Sequence, residues 1–586
     1  MDKWDLSVIY KDEEEFNNEC DNVKKKLLEL KEMEKSCFDN ASNLYEFLSK
    51  DSEVSILVDK LYSYASMNLD LDTSNNKALS LKEKAKDIYD EYNKVVSFFT
   101  PKLLSFSSED INKFYDERSE LDEYKVILDR IYRYKDHTLS EKEEKILAKI
   151  NSVFNRNEDI YDMLTDCDLT FGSIIDEDGK EVELTQSNYK KYIESTNRSV
   201  RKSAFEMLHN TYKKFGNTIC SAYYGEINEL KVFANIKNYN SILDMVVFDD
   251  EIDTSVYKNL VKVVNKRLDV IYNYFKIKKN MTKLDEFHLY DGYLPLVEVD
   301  KSTYTYEEAK DLVLKSLSVL GSEYVEILKE GYDNGWVDVY PSKAKRSGAY
   351  SGGSYLTMPY ILLNYESRYD DVSTLAHESG HSMHSYYARK YNKPEYGHYK
   401  IFVAEVASTV NELLLANYML ENSDDVTEKK FILDRLMSLY KATIYRQTMF
   451  AEFEEISYNL VENGVALTQD ILNEKYLELN KKYFGPDVVI DKEIQYEWLR
   501  IPHFYYKFYV YKYATGLSAA TYIVKNILSG KKDARENYIK FLKAGCTLSP
   551  IDSLKLAGVD LTREEVIESA IDYFKELQDE FVSLCK

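Results

Sequence analysis

His377 and His381 stand four residues apart in the run Thr374-Leu-Ala-His-Glu-Ser-Gly-His381, with Glu378 between them. This H-E-x-x-H pattern has a direct physical reading if the run is helical. An α-helix turns once in about 3.6 residues, so both imidazoles leave one face and can hold a single metal ion. Glu378 is rotated about 100° from His377, where it can take a proton from a water on that ion without ligating it. Asp370 and Asp371 suit a helix start, and Leu375, Ala376, Met383, Tyr386, Tyr387 and Ala388 predict a helix at least half-buried. Only 8 histidines occur in 586 residues, and those at 377, 381, 384, 398 and 503 concentrate the scarcest ligand type around this element.

A catalytic zinc keeps three protein ligands and one position for water, so the two histidines call for a third ligand downstream. After the turn residues Asn392, Pro394 and Gly397, an apolar helix is expected from Ile401, with Glu405 set between Val403, Ala404, Val406 and Ala407. A carboxylate among such neighbours is costly without a partner, and a metal supplies one. Glu405, Ser408 and Glu412 share a face at i, i+3 and i+7. Glu405 is the expected third ligand, with Glu412 behind it as support or as the alternative ligand; a structural salt bridge is the competing reading. His384, seven residues after His377, lies about 10 Å along the helix axis, too far for the same ion. It is read as hydrogen-bonding support or plain packing, and His398 as structural.

The stretches 286–296 and 335–364 read as extended. The second contains Gly352, Gly353, Tyr355 and Pro359. Proline cannot donate to a central ladder, so the segment from 352 to 364 is expected at a sheet edge, where a peptide backbone can add as a further strand. Gly352, Gly353 and Tyr355 are therefore candidate substrate-binding residues; ordinary turn glycines of a surface hairpin are the alternative. Near the C-terminus, His503, Tyr506 and Tyr513 recur at i, i+3 and i+10, on one side of an expected helix. Phenol donors facing a metal-bound carbonyl would stabilise the oxyanion formed on water attack, whereas a tyrosine stripe packed in the core is the bland reading.

Helices must carry most of these groups. Phe16, Val23, Leu27, Leu28 and Leu30 among dense charges predict one-sided burial. Ser140 and Glu143 form a capping-box pattern ahead of Ile146, Leu147, Ile150, Val153 and Phe154. The run 168–186 changes period around Asp176-Glu-Asp-Gly179, which predicts a hairpin and a lobe boundary near 190. Residues 1–190 are thus expected as a helical scaffold or lid ending in that hairpin, and 191–586 as the catalytic part. Helices return over 198–285 and 305–332.

Composition narrows the function classes. Hydrophobic residues at 44 %, charged residues at 30 %, and only 19 Gly and 8 Pro describe a globular, mainly helical protein. A net charge of −24 argues against nucleic acid and anionic membranes, both of which it would repel. The six cysteines are scattered without a C-x-x-C pair, as in a reduced cytoplasmic chain, and no apolar run is long enough for a membrane span.

Trp4-Asp-Leu-Ser-Val-Ile-Tyr10, Ser347-Gly-Ala-Tyr-Ser-Gly-Gly353, the Leu375–Ser385 motif, Ala404-Glu-Val-Ala-Ser408 and the His503–Gly516 tyrosine run together resemble oligoendopeptidase F, of the thimet-oligopeptidase-like zinc metallopeptidases. The resemblance spans nearly the full length. It implies a mainly α, two-lobed body with a deep central channel, a small β-sheet beside the active site and one zinc ion per chain. It implies endopeptidase activity on short unfolded oligopeptides, with His377, His381 and Glu405 as zinc ligands and Glu378 as general base. Tyr506 and Tyr513 match the family's transition-state tyrosines by their seven-residue separation, and His503 joins them. Ser379 departs from the bulkier apolar residue common there, off the ligand face. An aminopeptidase or other metallohydrolase, or a non-catalytic helical peptide-binding protein, are the rival expectations; oligomeric state is not legible.

Overall fold

The computed structural model describes residues 2–150, 154, 156–297 and 303–586. The chain is mainly helical, as expected, with five short strands in two small sheets among the described residues. No described helix is long and apolar enough to cross a membrane, and none of the six cysteines is in a disulfide. Two compact units are interleaved along the chain: unit 1 is Met1–Glu141, Lys301–Tyr418 and Ile523–Val559, and unit 2 is Lys142–Asp300, Met419–Tyr522 and Asp560–Lys586. Position 190 therefore falls inside a segment of unit 2.

The physical reason for the interleaving in unit 1 starts at Trp4. A buried indole N–H needs an acceptor. That of Trp4 donates to the carbonyls of Trp336 at 3.0 Å and Ile361 at 2.8 Å, tying the first residues to a sheet more than 300 positions away. The helix Glu13–Met33 follows, capped by the Asp12 carboxylate on the Glu15 N–H and carrying three glutamates in its first turn, where the helix dipole favours them. Phe16, Cys20, Val23, Leu27 and Leu30, three or four apart, form its buried stripe. Leu28, expected in that stripe, is 61 % exposed, because one residue past Leu27 is about 100° around the helix. Phe16, Cys20, Val23 and Leu27 share a core with helices Ala41–Leu71 and Asn76–Val96 and with Tyr360 and Leu362 of the sheet, while Leu30 joins a second cluster with Phe47 and Phe99.

The strands are β1 (Ser173–Ile175) and β2 (Glu181–Glu183) in unit 2, and β3 (Val337–Asp338), β4 (Tyr350–Gly352) and β5 (Tyr360–Leu362) in unit 1. β1 and β2 form the expected hairpin, with Ile174 opposite Val182 and Gly179 in the left-handed region at φ +77. The other sheet has the order β3-β5-β4. This corrects the expectation for Pro359: it stands directly before β5, the central strand, and the edges are β3 and β4. Proline is tolerated there because pairing starts after it, the Ile361 and Leu363 N–H groups donating to Trp336 and Asp338 carbonyls.

Three further expectations change. The 286–296 stretch holds a 3-10 turn, Leu289–Tyr293, because the buried Asp291 carboxylate accepts from the His288 N–H and from Arg198 and Arg201 and curls the chain around itself. The helix near 140 runs Glu141–Ile150 with Ile146 and Ile150 exposed, so its apolar set lines no core; Val153 lies outside the described residues, and the Phe154 ring meets Phe233. The 305–332 run is two helices, Tyr306–Ser316 with a Thr305–Glu308 capping box and Ser322–Asp333, separated by Gly321 at φ +102.

Candidate metal centre

The motif lies on the helix Tyr369–Tyr391 and Glu405 on the next long helix, Ile401–Asn422. The Nε2 atoms of His377 and His381 are 3.2 Å apart, and Glu405 Oε2 is 3.4 Å from the first and 3.6 Å from the second. Ligands at about 2.0–2.1 Å around a tetrahedral ion stand about 3.3–3.4 Å from one another. The three donors therefore already fit one zinc-sized cation, and they form the one His/Cys/Asp/Glu group suited to a metal among the described residues.

What lets two helices deliver ligands to one point is Gly380. A β-carbon there would lie 2.5 Å from the Ala407 carbonyl oxygen and 2.6 Å from Ser408 Cα, so the helix backbones touch at this residue. Asn411, fully buried, secures the crossing: its amide donates to the Ala376 carbonyl at 3.1 Å and its oxygen accepts from Tyr324. The Ser408 hydroxyl lies 3.2 Å from Glu405 Oε2. Ser379 faces away from the ligands, as expected, and its buried hydroxyl is satisfied by the Leu375 carbonyl and the Tyr332 hydroxyl. Gly380 and Asn411 were not singled out from sequence; the glycine inside a helical apolar run was the available signal.

Glu412 bonds His377 Nδ1 and so turns its Nε2 lone pair toward the other donors. The electrostatics favour positive charge here. Burial works against a charged His377, but the hydrogen bond and charge of Glu412, with Glu378 and Glu405, raise its pKa to about 9. The hydrogen bond from His381 holds Glu405 down to about 2 against burial. Glu378 is buried, which pushes its carboxyl up, while His377 and His381 pull it down. A field that would keep a proton on His377 also suits a divalent cation.

The burial premise for Glu405 needs correction. Val403, Ala404, Val406 and Ala407 are buried, but the Glu405 side chain is 44 % exposed, since it points off the face those four residues pack. Donor geometry, not the cost of burial, marks it. His384 is packed: its ring stacks on Tyr399 at 3.7 Å and its Nδ1 has no partner among the described residues. His398 lies beside the Cys546 thiol.

The edge strand β4 runs beside the motif helix, Ser351 Oγ standing 2.8 Å from Ser382 Oγ, one residue past His381. Gly353 has φ +105 and a β-carbon there would meet the Met358 carbonyl at 2.7 Å, so the turn after β4 demands glycine. Arg389 donates to the Gly353 carbonyl, and the Tyr355 hydroxyl donates to the Asn392 carbonyl. Gly352 and Gly353 thus end the edge strand, whereas Tyr355 anchors its loop.

His503, Tyr506 and Tyr513 belong to unit 2 and do not lie on one helix. A 3-10 turn, Pro502–Tyr505, is followed by Lys507 at φ +53 and Phe508 at φ +55, and the helix starts at Tyr511. Periodicity predicted a continuous helix because left-handed turns without glycine leave no compositional mark. In such a helix His503 and Tyr513 would stand about 15 Å apart along the axis. Their ring centroids are 6.0 Å apart, with Tyr506 and Tyr509 rings against them.

Comparison with known proteins finds relatives along the whole chain. The profile of Peptidase family M3 matches residues 191–573, and that of Oligopeptidase F matches 102–171. The chain is 44 % identical over 583 residues to oligopeptidase PepF of Bacillus subtilis, covering 100 % of this chain and 87 % of the relative. It is 38 % identical to an oligoendopeptidase F homolog of Borreliella burgdorferi, covering 98 % and 96 %. The crystal structure of oligoendopeptidase-F from Enterococcus faecium superposes with a TM-score of 0.74 at 32 % identity, covering 98 % of this chain and 99 % of that one. The converging histidine pair and Glu405, carried on a chain related along its whole length to these peptidases, lead to one conclusion: the protein belongs to peptidase family M3, in its oligopeptidase F branch.

Proposed function

We propose that this metalloendopeptidase is zinc-dependent and cleaves internal bonds of short unfolded oligopeptides, with one zinc ion held by His377, His381 and Glu405. The observation that carries the reading is the 3.2–3.6 Å triangle of donor atoms from two helices. Bound zinc supplies Lewis-acid chemistry, lowering the pKa of water and polarising the scissile carbonyl. Glu378 accepts the proton of the attacking water and returns a proton to the departing amine; its burial, which favours the protonated carboxyl, suits the second half of that task. Glu412 orients His377. β4, ending at Gly352 and Gly353, pairs with the substrate backbone, so side-chain preference is broad. Tyr513, Tyr506 or His503 donates to the oxyanion, a role that rests on the family resemblance. We place the enzyme in the cytoplasm, in keeping with six cysteines of which none is in a disulfide.

Mass spectrometry of a mixed peptide pool digested with and without chelator tests the whole reading. Chelator-sensitive cleavage inside N-acetylated peptides is expected. Cleavage confined to free N-termini would make the enzyme an aminopeptidase, and no cleavage with zinc restored would leave a binding protein.

A further inference from the structure

Glu454 sits in the middle of the helix Gln447–Glu462 and is fully buried. Its Oε1 accepts the Phe508 backbone N–H at 3.1 Å, and its Oε2 has no partner among the described residues. Among the described residues no cation bonds it, and burial drives its carboxyl well above the ordinary range, the Phe508 N–H pulling the other way.

The atom it holds is at an unusual place in the backbone. Lys507 and Phe508 are the only adjacent pair of non-glycine residues at positive φ among the described residues. Left-handed backbone is disfavoured for any residue with a β-carbon and persists where the surroundings impose it, often at functional sites. Here the surroundings are Glu454 on the Phe508 amide, Tyr458 stacked on the Phe508 ring at 4.6 Å, and Tyr257 edge-on at 5.4 Å. The turn reverses the chain just far enough for Tyr513 to meet His503, with Tyr506 and Tyr509 in the same ring cluster.

We infer that Glu454 is a positioning residue: it locks residues 507–508 in their left-handed turn and thereby holds His503, Tyr506, Tyr509 and Tyr513 together as one ring cluster. This rests on the proposed role of those rings in stabilising the oxyanion. The group acts through the loop and touches no substrate.

The experiment follows hydrogen exchange at the Phe508 amide together with kcat on an internally quenched peptide, using full-length zinc-loaded protein. Glu454→Met keeps the unbranched volume and removes the acceptor; faster Phe508 exchange and a kcat lower by on the order of tenfold or more, with KM and zinc content little changed, are expected. Glu454→Gln keeps the acceptor without charge and should retain most activity and protection, which guards against misfolding of the Met variant. Adding Lys507→Gly to Glu454→Met removes the backbone penalty at one of the two positions and should recover part of kcat. Unchanged Phe508 exchange in Glu454→Met would overturn the lock, and no recovery with Lys507→Gly would reduce Glu454 to a core residue. Faster exchange with unaltered kcat, together with an active Tyr513→Phe, would instead sink the role of the rings and with it the positioning claim.

Discussion

Gly380 lies so close to Ala407 that a β-carbon on the glycine would stand 2.5 Å from the alanine carbonyl oxygen. The contact is backbone to backbone, so no side chain can move aside. It sets the distance between the histidine pair and Glu405, two residues before Ala407.

Gly380→Ala therefore has opposed effects. Alanine in a helix interior gains about 1 kcal/mol over glycine in propensity, but forcing the helices apart costs about 1–3 kcal/mol. The clash dominates, and it falls on the ligand triangle. Net destabilisation of the metal-free protein and at least about tenfold weaker zinc binding are expected, read by thermal unfolding in chelator and by competition titration. Wild-type affinity would mean that the helices can separate without moving Glu405.

Glu405 and Glu412 are separable by metal content. Glu405→Ala removes a donor and should leave no stoichiometric zinc after dialysis. Glu412→Gln keeps all three donors but frees His377 Nδ1, so zinc stays while affinity falls about 10- to 100-fold. Full zinc retention in Glu405→Ala would transfer the third ligand to another residue.

Glu378→Gln should keep the metal and lose about 10²–10⁴-fold in kcat, because the amide cannot shuttle a proton. Equal zinc content in the two proteins, measured by atomic emission, makes the comparison clean. Normal turnover would remove Glu378 from the proton path.

Stability should fall in acid partly through His209, buried in unit 2, whose Nδ1–H donates to the Phe205 carbonyl at 2.7 Å. Burial pushes its pKa down from 6.5 to about 4. The folded state thus resists protonation that the unfolded chain accepts, so the contribution is whole above 6.5 and is lost between 6.5 and 4, at most about 3 kcal/mol. His209→Asn, which keeps a donor for Phe205, should flatten that part of the stability–pH curve measured in urea. An unchanged slope would assign the acid lability to carboxylates alone.

Much of this protein was legible in residue spacing. The i, i+4 histidines, Glu378 between them, the helix bearing Glu405 and Glu412, and the Asp176–Gly179 hairpin are local patterns, and helix geometry alone turns each into a direction in space. Where spacing misled, a long-range partner had intervened: Asp291 curling 286–296 around itself, β5 taking the centre of the sheet beside Pro359, and the Glu454 carboxyl holding a left-handed turn that no glycine announces.

The sequence by itself determined which side chains can hold a metal and move a proton, because those powers belong to residue type and helical period. Tertiary structure alone decided how near the two ligand helices come, which strands lie at the sheet's edges, and that His503 meets Tyr513 across a reversal of the chain. Those are contacts between residues brought together by packing, and packing depends on the shape of whole faces, which no short stretch of chain encodes.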